Sequence, residues 1–247
     1  MEGYVTRPMQ QETLSSQVIR FLLGLIAEKR LKVGDFVPSE VKVSEMLQVS
    51  RGIVRESYRA LASVGVLSVQ SGKRPRIREM DPTVLSEFFA YAAATSQIDA
   101  QQILELRRVV EMQAAFLAAQ NGTDEELLRI KQAGERLHQY PISHPEWIAC
   151  DYELQIAIAS AVHNPLFQIV IRALRAPLEE SMRAGIESQV SVHTENHIVD
   201  LHDRIVDAVC SRDPVAASKA VEEHFNAPVS ALLKSGISKT EPQRQPT

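Results

Sequence analysis

Two cysteines in 247 residues are few. Cys150 and Cys210 stand at no spacing that suits a metal or a disulfide framework. That excludes a disulfide-stapled secreted scaffold and points to a reducing, cytoplasmic home. Long apolar runs are missing as well: no stretch reaches 18 apolar residues, so no membrane span is expected. The opening segment, MEGYVTRPMQQETLSS, is polar and lacks the apolar centre of a secretory signal. No internal repeat is visible, and no low-complexity segment lies within the domains. The composition is that of an ordinary globular protein, 45% hydrophobic and 23% charged, in a length that allows two modest domains.

The net charge of −4 hides an asymmetry. Residues 1–80 hold 13 Lys/Arg against 8 Asp/Glu, whereas residues 81–247 hold 14 against 23. Between Arg51 and Arg78 there are seven basic residues and one acid, Glu56. A basic patch on an acidic chain suggests a polyanionic partner for that patch alone. On charge by itself, a solvated helix face explains it equally well.

Periodicity resolves the first 80 residues into short elements. Val18, Phe21, Leu22, Leu25 and Ile26 mark the apolar stripe of a helix from about Glu12 to Arg30. Gly34 and Pro38 punctuate the next segment, and Ser39 caps a second helix, Glu40 to Leu47, expected to bury Val43, Met46 and Leu47. After the turn QVS, Ser50 caps a third helix that Gly65 ends. VLSVQ and RPRIRE read as two short strands around the basic loop SGK. Three helices and a hairpin make a winged helix-turn-helix over residues 12–78.

Asp81-Pro82 breaks the chain, and everything after it reads as helix. The expected spans are Thr83 to Ala94, Asp99 to Ala119, Thr123 to about Tyr140, Pro145 to Val162, Pro165 to Arg183, roughly Thr194 to Ser211, and Pro214 to Leu233. Thr123 and Glu126 form a capping box. The fold class expected is mainly α: the N-terminal winged helix-turn-helix, then an antiparallel helical bundle over 83–233. The tail, 234–247, is polar and expected to be disordered.

The third helix, VSRGIVRESYRALASVGVL, carries two patterns. Val54, Tyr58, Leu61 and Val64 form an apolar row that packs inward. Arg51, Arg55 and Arg59 form a second row, four apart, that faces out beside Lys73, Arg74 and Arg76 of the hairpin. A major groove admits one α-helix, and guanidinium is the best fork for guanine O6 and N7. Ser50, Gly52 and the free N–H groups of the helix start suit phosphate, and Gly52 lets the backbone approach closely. Pattern, cap, turn and basic wing together favour DNA over a merely solvated face.

The same residues resemble the GntR family of bacterial regulators, whose usual pattern is PG, LPSE, VSR, VREAL. Gly34-Asp35, Pro38-Ser39-Glu40, Val49-Ser50-Arg51 and Val54-Arg55-Glu56 match it. The resemblance implies that Arg51 and Arg55 contact operator bases and that Gly72 and Lys73 at the wing tip enter the minor groove. The wing SGKRPRI departs from the commoner GRGTFV-like wing and is nearer the HGKPTKV type of the fatty-acid regulator FadR. The DNA-binding set is thus Ser39, Ser50, Arg51, Gly52, Arg55, Arg59, Gly72, Lys73 and Arg74.

The helical half resembles the FCD ligand-binding domain of the FadR subfamily, through ILELRRVVEMQAAFLAAQ, DYELQIAIASAVHNPLF and LHDRIVDAVCSRDPVAASKAVEEHF. In many such domains an Asp and three His hold a divalent metal. The Asp corresponds to Asp151 and two of the His to His202 and His224, but the first His is Gln155 here. Asp151 and Gln155, four apart, share one helix face. A carboxylate with two imidazoles suits Zn, Ni, Fe or Mn, whereas a Gln carbonyl is a weak ligand. Two readings stay open: three protein ligands with a water or effector oxygen, as in open zinc sites, or no metal, with Gln155, His202 and His224 hydrogen-bonding the effector. By the same resemblance Arg107 meets an effector carboxylate, with Arg175 a weaker candidate; Glu111, four after Arg107, could instead neutralise it. Arg108 is expected in a surface salt bridge. His193 and His197, also four apart, could pair on a metal if helical or lie in a polar helix entrance. His138, His144 and His163 read as surface or turn residues, and Trp147 as core or pocket lining.

The sequence is compatible with three function classes. The first is a homodimeric, cytoplasmic, DNA-binding regulator, not an enzyme. It represses a catabolic operon from an inverted-repeat operator, and a small carboxylate (organic, sugar or amino acid) releases it, with or without a divalent metal. It carries no membrane partner. The second is a metal-free FadR-like regulator of a larger acyl ligand. The third, a metal-dependent enzyme using Asp151, His202 and His224, leaves the winged helix unexplained and has no nucleophile or general base placed by motif.

Overall fold

The computed structural model describes residues 12–142, 144–175 and 192–226. The described chain divides into two compact units, Met1–Val84 and Leu85–Thr247.

In the first unit α1 spans Leu14–Glu28, α2 Glu40–Leu47 and α3 Arg51–Ser63. Each start is fixed by a hydroxyl that accepts a backbone N–H: Thr13 from Ser16, Ser39 from Lys42 and Ser50 from Ile53. These caps satisfy donors that a helix start leaves over. Val18 and Leu22 of α1, Val43 of α2, and Val54, Tyr58 and Leu61 of α3 share one core with Val37 and Leu67. The buried Tyr58 hydroxyl donates to the Pro38 carbonyl at 2.6 Å and ties α3 to the chain before α2. Met46, expected inside, is 51% exposed. An eight-residue helix has room for only one fully buried residue here, Val43.

The hairpin is shorter than its sequence pattern. β1 is Leu67–Ser68 and β2 Arg76–Ile77, paired antiparallel with Leu67 opposite Ile77 and Ser68 opposite Arg76. Residues 34–37 run alongside β2 and supply further pairing: Gly34 donates to Ile77, Ile77 to Asp35 and Val37 to Pro75. The loop SGK turns at Gly72, whose φ of +73° suits glycine.

Helices are the only regular elements among the described residues of the second unit. Here α4 is Thr83–Ala94, α5 Ala100–Asn121, α6 Asp124–Leu137, α7 Pro145–Ser160, α8 residues 165–175, α9 Val192–Cys210 and α10 Pro214–Asn226. Capping boxes start α5 (Asp99 with Gln102) and α6 (Thr123 with Glu126). Helix α10 packs on α5 and α9, and α6 packs on α7 and α9. The approach of α6 to α9 is close: a Cβ on Gly134 would lie 2.7 Å from Val206 Cγ2. Their shared core includes Ala115, Ala118, Ile130, Leu137, Trp147 and Val209. The expected ends of α8 and α10 and the tail 234–247 lie outside the described residues. No helix among the described residues is long and apolar enough to cross a membrane.

Candidate functional site

The first candidate surface is built on α3. Val54, Ser57, Tyr58 and Leu61 are buried, while Arg51, Arg55 and Arg59 are exposed on a different face. The burial of one row forces the exposure of the other, since a helix face turns away every 3.6 residues. Ser39, Ser50 and Gly52 are exposed at the starts of α2 and α3. A Cβ on Gly52 would meet only the Ser50 Oγ, at 3.8 Å, so nothing inside the fold demands glycine there.

Gly72, Lys73 and Arg74 lie exposed on the wing. The Arg74 guanidinium stacks 4.8 Å over the Phe36 ring. Phe36, Ser68, Gln70, Lys73, Arg74 and Arg76 surround a hollow of about 350 Å3. Sequence reasoning missed Phe36. Its role depends on the bridge that pairs it with Arg76, and the only local signal was a large aromatic in the polar segment GDF.

The second candidate site lies inside the helical unit, where the buried charged and imidazole side chains among the described residues are Arg107 and Glu111 on α5, Asp151 on α7, His202 on α9 and His224 on α10. Arg107, Glu111, Asp151 and His202, joined through Gln155, form a chain of hydrogen bonds. Arg107 Nε donates to Glu111 Oε1 at 2.7 Å, and Arg107 Nη2 donates to Gln155 Oε1 at 2.7 Å. Gln155 Nε2 donates to Asp151 Oδ2 at 2.9 Å. Asp151 Oδ1 lies 2.9 Å from His202 Nε2, and His202 Nδ1 lies 2.8 Å from the Ile198 carbonyl. A carbonyl only accepts, so Nδ1 carries a proton. Nε2 faces the Asp151 carboxyl, which favours a proton there as well.

The electrostatics agree with this assignment. Burial works against the charged form of His202, but the hydrogen bond and charge of Asp151, with the Ile198 carbonyl, outweigh it and hold the pKa above the usual histidine range. Burial likewise works to raise Asp151, yet His202, His224 and Arg107 together hold its carboxyl below the usual range. His224, 4.6 Å from His202 between ring centroids, is pushed down to about 3 by burial and by its charged neighbour, and is neutral. Glu111 goes the other way: burial raises its pKa despite the Arg107 pair.

Two adjoining cavities share Asp151, Gln155 and Ile171 in their walls. One, about 30 Å3, is lined by Glu111, His202, His224 and apolar residues that include Leu154, Ile158 and Val221. The other, about 10 Å3, is lined by Arg107, Ile148, Tyr152 and Arg175. Arg107, Gln155 and Arg175 thus meet at the smaller cavity, and Asp151, His202 and His224 at the larger. The Arg175 guanidinium stacks on Tyr152 at 3.9 Å. The Glu111 pairing anticipated as an alternative does occur, and Arg107 reaches Gln155 as well.

The residues expected to hold a metal satisfy one another instead. Both oxygens of Asp151 are engaged, both nitrogens of His202 are engaged, and the Gln155 carbonyl is taken by Arg107. Among the described residues no group of three or more His, Cys, Asp or Glu side chains is placed to hold a metal ion.

The remaining candidates fall elsewhere. Trp147 is buried with its ring edge-to-face against His202, at 5.5 Å, and lines neither cavity. Arg108 pairs with Glu222 at 2.7 Å. His138 pairs with Asp203 and His163 with Glu126 at the surface, and His144 caps α7. His193 and His197 both fall within α9.

Comparison with known proteins places both units. The family model "Bacterial regulatory proteins, gntR family" matches residues 14–77, and the FCD domain model matches residues 102–227. The chain is 28% identical over 235 residues to the HTH-type transcriptional regulator YcbG of Bacillus subtilis, covering 95% of this chain and 96% of that one. It is 28% identical over 229 residues to the HTH-type transcriptional repressor NanR of Cronobacter sakazakii, covering 90% and 86%. It is 27% identical over 206 residues to the HTH-type transcriptional regulator LutR of Bacillus subtilis, covering 81% and 93%. A solved structure, Streptococcus agalactiae GntR, shares the fold with a TM-score of 0.61 at 22% identity, over 88% of this chain and 100% of that one. These relatives are regulators and not enzymes, and the chain belongs to the GntR family of DNA-binding transcriptional regulators, with an FCD domain of the FadR-like subfamily.

Proposed function

We propose that the chain is a cytoplasmic repressor of a catabolic operon, bound to its operator as a homodimer and released by a small carboxylate in the helical unit. The observation that carries the effector reading is the meeting of Arg107, Gln155 and Arg175 at one cavity. A guanidinium fork pairs a planar carboxylate through two parallel hydrogen bonds, and Arg107 spends only Nε and Nη2 on Glu111 and Gln155. An arriving carboxylate competes with Glu111 for this fork. Repression is supported by the relative NanR, which is named a repressor. Dimerisation is supported by the reach of one recognition helix, which reads only a few base pairs, so that an inverted repeat and a two-fold protein specify each other.

The test begins with an operator selected from random duplex DNA. Sedimentation of the complex should give two chains per duplex. A panel of small carboxylates is then screened for release. Arg107→Lys keeps the charge but loses the fork, so it should bind operator normally and need far more carboxylate for release. Release of the variant at the wild-type concentration removes Arg107 from the effector site.

A further inference from the structure

The larger cavity carries the residue types of a metal centre, yet Gln155 rewires them. Its amide has two ends, and only one orientation serves both neighbours: the N–H toward Asp151 Oδ2 and the oxygen toward Arg107. An imidazole at position 155 with a nitrogen committed to a metal could not bridge these two groups in this way. The glutamine thus fastens a guanidinium from α5 to a carboxylate on α7, and the opposite oxygen of that carboxylate is closed by His202 of α9.

Charge points the same way. Around Asp151 stand the Arg107 guanidinium, linked through Gln155, and the His202 ring in direct contact. The Glu111 carboxyl pairs with Arg107 and lines the same cavity as Asp151. A divalent ion at Asp151 would have to displace the Gln155 amide from Oδ2 and His202 Nε2 from Oδ1. It would also have to settle beside a fixed guanidinium whose like charge opposes it. His224, with no hydrogen bond to its ring among the described residues, is left as a single neutral imidazole, and one imidazole does not make a site.

We propose that this chain's effector cavity works without a metal, with the Arg107–Gln155–Asp151–His202 chain in the metal's place and a carboxylate ligand held by direct hydrogen bonds instead of chelation. The ligand class narrows accordingly. A metal rewards a 2-hydroxy or 2-keto acid, which can bind it through two oxygens. A guanidinium fork rewards the carboxylate alone, and the apolar wall of Leu154, Ile158, Ile171 and Val221 rewards a short hydrocarbon chain. The carboxylate part rests on the effector reading above; the metal part does not.

The experiment uses the full-length protein and begins with the metals alone. Elemental analysis of the protein as purified, and melting after dialysis against EDTA and after reloading with ZnCl2, NiCl2 or MnCl2, are compared for wild type, Gln155→His and Gln155→His/His224→Ala. The wild type should carry no stoichiometric metal and melt alike in all conditions. Gln155→His releases Asp151 and adds an imidazole on the same helix face, so it should gain metal and at least about 5 °C on loading, and the double variant should lose that gain. One equivalent of metal on the wild type, removed by EDTA with a fall in melting temperature, overturns the proposal. So does a Gln155→His variant that gains no metal, since Gln155 would then not be the cause.

Carboxylates are tested last, on EDTA-dialysed protein, as pairs: butyrate with 2-hydroxybutyrate, and isovalerate with its 2-keto analogue. Stabilisation by the plain acid without metal supports the proposal, and a response that appears only with added metal overturns it. Failure of every carboxylate under both conditions instead sinks the effector reading of Arg107, while the metal arms still decide the question of the metal.

Discussion

In the DNA-reading unit the Lys, Arg, Asp and Glu side chains described lie outside a core of Val18, Leu22, Val37, Val43, Val54, Tyr58, Leu61 and Leu67, and the one buried polar residue described there besides Tyr58 is Ser57. In the helical unit Arg107, Glu111, Asp151, His202 and His224 lie inside. The two arrangements answer different demands. An exposed arginine stays hydrated until a phosphate or base edge replaces water, so Arg51, Arg55 and Arg59 need no partner within the chain. A buried charge must be paired to be tolerated. The helical unit therefore completes its own network, and any ligand has to exchange with bonds already made.

That contrast is broken most severely at Asp151. Asp151→Ala leaves the His202 ring, the Gln155 amide and, behind it, Arg107 without their common acceptor. Removing one partner of a buried pair costs about 3–5 kcal/mol. Calorimetry should show the helical unit melting far earlier, while Asp151→Asn, which keeps hydrogen-bonding atoms, should lose less. A variant as stable as the wild type would mean that the buried network is not what orders this core.

The opposite outcome is expected on α3. Arg55→Ala should change stability by no more than about 0.5 kcal/mol, as exposed substitutions do, yet cost about 1–3 kcal/mol of operator binding if the side chain reads a base. Lys73→Ala on the wing should weaken binding more evenly across sequences and lower the salt slope by about 1. Anisotropy titrations at several salt concentrations separate the two, and unchanged affinity in both variants removes this face from the interface.

The two units also differ in how far they could be read beforehand. The helices of the DNA-reading unit announce themselves locally, because Ser39 and Ser50 cap two of them and the buried rows repeat at helical spacing. What failed there was local competition: the hairpin pattern ran longer than the two-residue strands that form, and Met46 sits outside because Val43 alone fills the inward position of α2. In the helical unit the residue types were legible but their partners were not. Arg107 and Gln155 are 48 positions apart, and only the packing of α5 against α7 brings them together. A glutamine that reads as a missing ligand is, in three dimensions, a bridge. Phe36 escaped for the same reason, since the ring matters only where the chain at 34–37 lies beside β2.

Phe36 sharpens the comparison from the other side, as an exposed aromatic that holds a charge in place. Phe36→Leu keeps an apolar side chain but removes the ring face beneath Arg74. A cation–π contact at an exposed site is worth about 0.5–1 kcal/mol. The loss should appear in operator affinity, through a less ordered Arg74, and hardly in stability. An Arg74→Ala background should abolish the effect. If Phe36→Leu weakens binding equally in that background, the ring acts on DNA directly.

The smallest effect expected concerns a charge that is neither buried in the network nor offered to DNA. Glu126 closes the capping box of α6: one oxygen accepts the Thr123 backbone N–H at 2.8 Å, and His163 lies 2.9 Å away. The backbone hydrogen bond from Thr123 leads in pulling its pKa down to about 2, against the opposing effect of burial and with His163 and the Thr123 hydroxyl adding to it. A carboxyl depressed in the folded state contributes stability that is fully present above its unfolded pKa, about 4.5. That stability is lost as pH falls from there toward 2. The start of α6 should therefore loosen in that window and not between pH 5 and 8. Glu126→Gln keeps an acceptor for Thr123 but has no proton to take up. Melting of the two proteins should differ slightly at pH 6 and converge as pH approaches 2. A constant difference across that range would show that the carboxylate charge adds nothing to the cap, and that the geometry of the hydrogen bond alone holds the helix start.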